Sequence, residues 1–284
     1  MKRIIFIEGA PAVGKTTYAK SLQSNLIADG KNVVRVQEHS VQSIDMSRQA
    51  HLKKEEYQSL LLACDDYFDK NTASLIVKQI REQSRQVGGN IVLAYMQLLT
   101  IPNKDLQLDL LELRDKEIVD GRVRFVQYRR IVQDLWKAFI QIAKQDNNIY
   151  IIEGSLIQNQ LYDLIGYYML SDQEILSYCQ MLLSLVSTLS SEIIYIDTPH
   201  LKLIIEMASK ERGSIQDHNN GEEIIISTSW YEAFQLWVES SPYGKAKHLA
   251  GFNGVYAFCA ECQRVSRYVL NDLDIPIQLE VRML

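Results

Sequence analysis

Nine consecutive residues near the amino terminus, Gly9-Ala10-Pro11-Ala12-Val13-Gly14-Lys15-Thr16-Thr17, set two glycines, an ammonium and two hydroxyls at the spacing G-x-x-x-x-G-K-[ST]. That combination suits a polyphosphate. Glycines at 9 and 14 let consecutive backbone N–H groups turn inward, and the positive end of a following helix adds to their field. Lys15 is then placed for the β- and γ-phosphates of ATP and the Thr16 hydroxyl for Mg²⁺. The flanks agree with this reading. An apolar run, Ile4-Ile5-Phe6-Ile7, leads through Glu8 into the glycine, and Tyr18-Ala19-Lys20-Ser21-Leu22 permits a helix, so the motif stands between a strand and a helix as a P-loop (Walker A) must.

Two acids follow other strand-like runs. Glu38 comes after Val33-Val34-Arg35-Val36-Gln37, and Glu153 after Ile149-Tyr150-Ile151-Ile152. Phosphoryl transfer needs one acid to organise the Mg²⁺ water shell, for which Glu153 is assigned, and often one to accept the acceptor hydroxyl's proton, for which Glu38 is assigned. The opposite assignment stays open, as does a plain polar strand end for each. Leu201–Arg212 follows Asp197-Thr198-Pro199 and ends in Lys210 and Arg212; an arginine there can meet the transferred phosphoryl group, although cations also favour a helix carboxyl end. Lys245, in Ser241-Pro242-Tyr243-Gly244-Lys245, is a contact for base or phosphate or simply follows a turn. Tyr128, Arg129, Arg130 and Trp136 either shape an acceptor pocket or form a solvated basic face over a core tryptophan. Cys259-Ala260-Glu261-Cys262 has C-x-x-C spacing but no second ligand pair, which favours two helix cysteines over a zinc or redox site.

These groups need a framework. Five short runs, Arg3–Ile7, Val33–Val36, Ile149–Ile152, Ile193–Ile196 and Ile275–Leu279, read as buried parallel strands, with helical spacing between them, as in Val255, Phe258, Cys262, Val265 and Val269. The expected fold is α/β: a P-loop NTPase with a five-stranded parallel sheet flanked by helices. Residues 39–148 are too many for one crossover and read as a large helical insertion after strand 2, with helices at His51–Asp69, Thr72–Val87, Asp105–Val119 and Phe125–Ala143 and a short edge element from Ile91 to Tyr95. The chain of 284 residues with 5 prolines and 13 glycines shows no linker rich in either, so 1–284 reads as one domain with an embedded acceptor lid at 39–148 and a second candidate lid at 198–225. The stretch Gly213–Gly221 within that second lid is polar.

A net charge of −5 argues against a general nucleic-acid binder. No apolar run approaches the roughly 18 residues of a membrane span, and Glu8 interrupts the amino-terminal apolar run well short of the roughly 7–15 residues of a signal peptide. Cytoplasmic placement follows, with self-association compatible.

The P-loop, Glu38, Lys54-Glu55-Glu56-Tyr57, Trp136, Ile152-Glu153-Gly154-Ser155-Leu156-Ile157-Gln158-Asn159, Arg212, Ser241–Lys245 and Gly251-Phe252-Asn253-Gly254-Val255 together resemble uncharacterised bacterial P-loop ATP-binding or kinase-like proteins, related to the nucleoside and nucleotide kinases. The resemblance spans most of the chain. It implies the kinase fold, with the five strands in the kinase-type order 2-3-1-4-5, and a position for Glu38 similar to the catalytic acid of deoxynucleoside kinases. Ser40, Gln42 and Cys262 depart from the group's pattern of an Asp, a His and an Arg, so the acceptor differs or transfer has been lost. The expected activity is transfer of the γ-phosphoryl group of ATP, with Mg²⁺, to a hydroxyl of a nucleoside-like or antibiotic-like small molecule through Lys15, Glu38, Glu153 and Arg212. An ATPase or switch and an ATP-binding pseudokinase are the alternatives.

Overall fold

A computed structural model describes residues 3–36, 44, 49–211, 216–219, 222–225 and 230–283. The chain starts with β1 (Ile4–Gly9), α1 (Lys15–Ala28) and β2 (Val33–Val36), and continues through β3 (Ala50–Leu52), α2 (Lys54–Tyr67), α3 (Lys70–Glu82), β4 (Ser84–Val87), β5 (Asn90–Leu93), α4 (Lys104–Glu112) and α5 (Phe125–Gln145). It then forms β6 (Ile149–Glu153), α6 (Gln158–Gly166), α7 (Asp172–Val186), β7 (Ser191–Asp197) and α8 (Leu201–Glu211). Last come β8 (Gln216–Asn219), β9 (Glu222–Ile225), α9 (Trp230–Ser240), α10 (Pro242–Ala246), α11 (Gly251–Asn271) and β10 (Ile277–Val281). Two compact units result, one of residues 1–34 with 149–284 and the other of residues 35–148.

The main sheet is parallel, ordered β10-β7-β1-β6-β2. Counting only its own strands along the chain, that is 2-3-1-4-5 read from the β2 edge, the order expected. β1 is central and buried along its whole length, which explains its unbroken apolar run: a strand covered on both faces has no solvent side to mark with polar residues. Ile5 and Ile7 pack with Ala19 of α1 and with Leu201, Ile204 and Ile205 of α8 on one face. Their neighbour in register, Glu153, lies on that face too, because Ile7 stands beside it in the parallel pair β1–β6. Glu8 points to the other face, beside Tyr195 in β1–β7.

The fifth strand corrects an expectation. Among the described residues β10 has only β7 for a neighbour, and Ile277, Leu279 and Val281 are 38%, 59% and 54% exposed. Its apolar residues mark β-propensity at an open edge rather than a strand buried on both faces.

The unit of residues 35–148 is less purely helical than its length and spacing imply. The expected helix Thr72–Val87 stops at Glu82, and Ser84–Val87 turns through Gly88-Gly89 into β5. β5 is the centre, not the edge, of an antiparallel sheet ordered β3-β5-β4. Likewise His51 belongs to β3, and α2 begins at Lys54. Leu52, Leu61, Ile80, Leu93, Leu106 and Leu110 give this unit a core of its own. On α5, Tyr128, Val132, Leu135 and Phe139 recur every three or four residues and are buried, as is Trp136 beside them.

Candidate active site

Sharp backbone turns shape the segment Gly9–Thr17. Gly9 has φ 146°, and a Cβ built there would lie 2.4 Å from the carbonyl oxygen of Ile196, so β1 can enter the loop against β7 only as glycine. Ala12 and Gly14 also take positive φ, 63° and 95°, before α1 starts at Lys15. Val13 and Ala10 turn inward to the core, while Thr16 and Thr17 stand exposed on the first turn of α1. The Lys15 ammonium folds back over the loop, donating to the carbonyl oxygens of Gly9 at 3.1 Å and Ala10 at 2.8 Å. Pro11 is buried.

Glu153 ends β6 next to this segment, on the face shared with α1, and is 6% exposed. The structure therefore brings the P-loop and Glu153 to the carboxyl ends of adjacent strands, where ligands of parallel sheets bind. Glu38 and Arg212 lie outside the described residues, as do Ser40 and Gln42. Lys210 pairs with Glu206 one turn earlier at 2.9 Å, its side chain 72% exposed, as a solvated helix-end cation does.

Other candidates have structural duties. Ser241 caps α10, its hydroxyl accepting the Gly244 N–H at 3.0 Å, and a Cβ at 244 would sit 1.8 Å from the Val238 carbonyl oxygen. Lys245 beyond them is exposed. Tyr128 and Trp136 are core residues of α5, and Arg129 and Arg130 are exposed. Cys259 and Cys262 are buried in α11; burial pushes the Cys259 thiol up to about 12 and the Cys262 thiol well above its usual value, which keeps both protonated and poor as ligands or nucleophiles.

Two residues come to the loop unannounced by the sequence. Arg282, just past β10, hangs by its own N–H from the Asp197 carbonyl and donates through Nη1 to the Ala12 carbonyl at 3.1 Å, on the residue held at positive φ. Glu8 is wholly buried, and its two oxygens accept the N–H groups of Leu156 and Gln158 at 2.9 and 3.0 Å. Burial raises its carboxyl to about 7, against the opposing pull of those amides and of Lys15. The only sequence signal for Glu8 is a charge within an otherwise apolar strand; Arg282 has none.

The donor set fits a magnesium nucleotide: loop amides ahead of a helix, an ammonium, a hydroxyl on the helix's first turn and a carboxylate on the same face. Among the described residues, no three His, Cys, Asp or Glu side chains converge as a protein-only metal cage, and no helix is long and apolar enough to cross a membrane. Residues 1–88 match the model of a family described as Novel STAND NTPase 3, which suggests a P-loop nucleotide-binding NTPase. No curated protein and no solved structure matches the chain.

Proposed function

We propose that the chain binds ATP with Mg²⁺ at its P-loop and moves the γ-phosphoryl group to a hydroxyl of a small molecule, nucleoside-like or antibiotic-like. The supporting observation is the setting of Gly9–Thr17 between β1 and α1 of a sheet ordered 2-3-1-4-5, with Glu153 on the α1 face of the adjoining strand. Loop amides and the α1 amino terminus take the phosphates, and Lys15 exchanges the carbonyls of Gly9 and Ala10 for phosphate oxygens. Thr16 and Glu153 would hold Mg²⁺, which supplies neutralisation of the charge that develops between the phosphates. Glu38 takes the acceptor's proton and Arg212 meets the transferred group; residues 39–148 carry the acceptor side, and 198–225 act as a lid in one cytoplasmic kinase-like domain.

A second reading has water as the acceptor. It is favoured by the similarity to Novel STAND NTPase 3 over residues 1–88. Incubation with γ-labelled ATP and Mg²⁺, with and without a panel of nucleosides and hydroxyl-bearing antibiotics, separates the two. Label on an acceptor supports the kinase, and Glu38→Gln should then suppress transfer by about 10²–10⁴-fold while ATP still binds. Label released only as phosphate, at a rate indifferent to the whole panel, supports the NTPase.

A further inference from the structure

Glu8 sits on the face of β1 away from α1, inside the fold and 0% exposed. A charge there is retained at a cost unless it does something for its surroundings. Its surroundings are specific. Both oxygens are spent on backbone N–H groups of one short segment, the turn that carries the chain from β6 into α6. That turn starts directly after Glu153. Gly154 takes a left-handed conformation, φ 65°, with its N–H on the Ile7 carbonyl at 2.9 Å, and the Ser155 hydroxyl returns to the Glu153 carbonyl at 3.1 Å. Further along, the Asn159 N–H closes back on the Gly154 carbonyl at 2.8 Å. The turn is thus pinned from β1 at two successive residues, by the backbone of Ile7 and by the side chain of Glu8, and Gly9 of the P-loop is the next residue along.

Resting on the assignment of Glu153 to the Mg²⁺ site, we propose that Glu8 is a positioning residue that ties the turn 154–158 to the phosphate-binding strand and so fixes the Glu153 carboxylate relative to the P-loop from the opposite face of the sheet. A neutral residue cannot replace it in kind. Glutamine at position 8 offers one acceptor oxygen and one NH₂ group, which would face an amide N–H and leave a buried donor unpaired. The turn then has to give way, and Glu153, at its root, moves with it.

The test is a double-mutant cycle read in magnesium dependence at pH 8, where the Glu8 carboxylate is largely ionised. Nucleotide affinity is measured without Mg²⁺ and across a Mg²⁺ titration for wild type, Glu8→Gln, Glu153→Gln and the double variant. Glu8→Gln should keep Mg²⁺-free affinity within twofold and raise the half-saturating Mg²⁺ concentration about tenfold. In the Glu153→Gln background the same substitution should add less than twofold, because residues acting through one another are not additive. Equal weakening with and without Mg²⁺, or effects that multiply in the double variant, would overturn the proposal while leaving Glu153 in its role. Wild-type magnesium dependence in Glu153→Gln would remove that role, and the proposal with it. Should Glu8→Gln not fold, Glu8→Asp keeps the charge but is one methylene too short for both amides. It should show the same Mg²⁺-selective loss, and wild-type behaviour in it would count against the proposal.

Discussion

Glu8 and Glu153 leave neighbouring parallel strands at the same end of the sheet but on opposite faces: Glu153 stands with Ile7 on the α1 face, and Glu8 with Tyr195 on the other. Only the first faces the side on which phosphates would lie. The second is enclosed by the turn after β6 and by α7 and β7, with Lys15, the Cys179 thiol and the Tyr195 hydroxyl the titratable groups that feel its charge.

That enclosure has a sign that can be measured. The Glu8 carboxyl is raised from its ordinary 4.5 to about 7, mainly by burial. A raised folded-state value means that folding takes up a proton between these limits, so the stabilising contribution is complete below about 4.5 and is lost as pH rises through 7. The size is about 3 kcal/mol. Melting temperatures of wild type and Glu8→Gln across pH 5–9 should therefore diverge, wild type losing ground to the variant as pH rises from 5 to 8. A difference that stays constant over that range would mean Glu8 does not titrate there.

At the mouth of the loop, Gly9→Ala places a Cβ 2.4 Å from the Ile196 carbonyl oxygen at a φ of 146°. Backbone of that kind costs about 1–3 kcal/mol for a residue with a side chain, before the clash is relieved. Nucleotide binding should disappear and the melting temperature fall by several degrees. A variant that binds ATP like wild type would show that β1 does not enter the loop against β7.

Arg282→Ala removes the bond from Nη1 to the Ala12 carbonyl, which steadies a non-glycine residue at φ 63°. The bond is half-exposed, so a loss of about 0.5–1.5 kcal/mol is expected, a two- to tenfold rise in nucleotide Kd. Calorimetric titration with ATP reads it. Unchanged affinity would reduce Arg282 to a tether between β10 and β7.

What the sequence disclosed follows the reach of its signals. The P-loop is a contiguous pattern whose chemistry depends on adjacent residues, and the isoleucine-rich runs separated by helical stretches marked a parallel sheet, while the strand order came with the resemblance to nucleoside and nucleotide kinases. The place of Glu153 at the end of β6 could be read because strand ends are local. By contrast, β3 and β4 were hidden inside expected helices, and β5 was expected only as a short edge element: Ser84–Val87 and Asn90–Leu93 are four residues each, too short for period two to stand out from period 3.6. The exposure of β10 depends on what fails to cover it, which composition does not record. Glu8 and Arg282 act across 148 to 270 residues of chain, on backbone groups that any sequence would supply.

Transfer from a triphosphate held by Gly9–Thr17 would depend most directly on Lys15. Its ammonium donates to the carbonyl oxygens of Gly9 and Ala10, within its own loop. Phosphoryl turnover in the presence of Mg²⁺, measured together with the melting temperature for wild type and Lys15→Ala, is the decisive comparison. Turnover should fall by at least about 10²-fold, as charge stabilisation worth about 3–5 kcal/mol is removed, while the melting temperature stays within a few degrees. Turnover in Lys15→Ala equal to wild type would contradict the account.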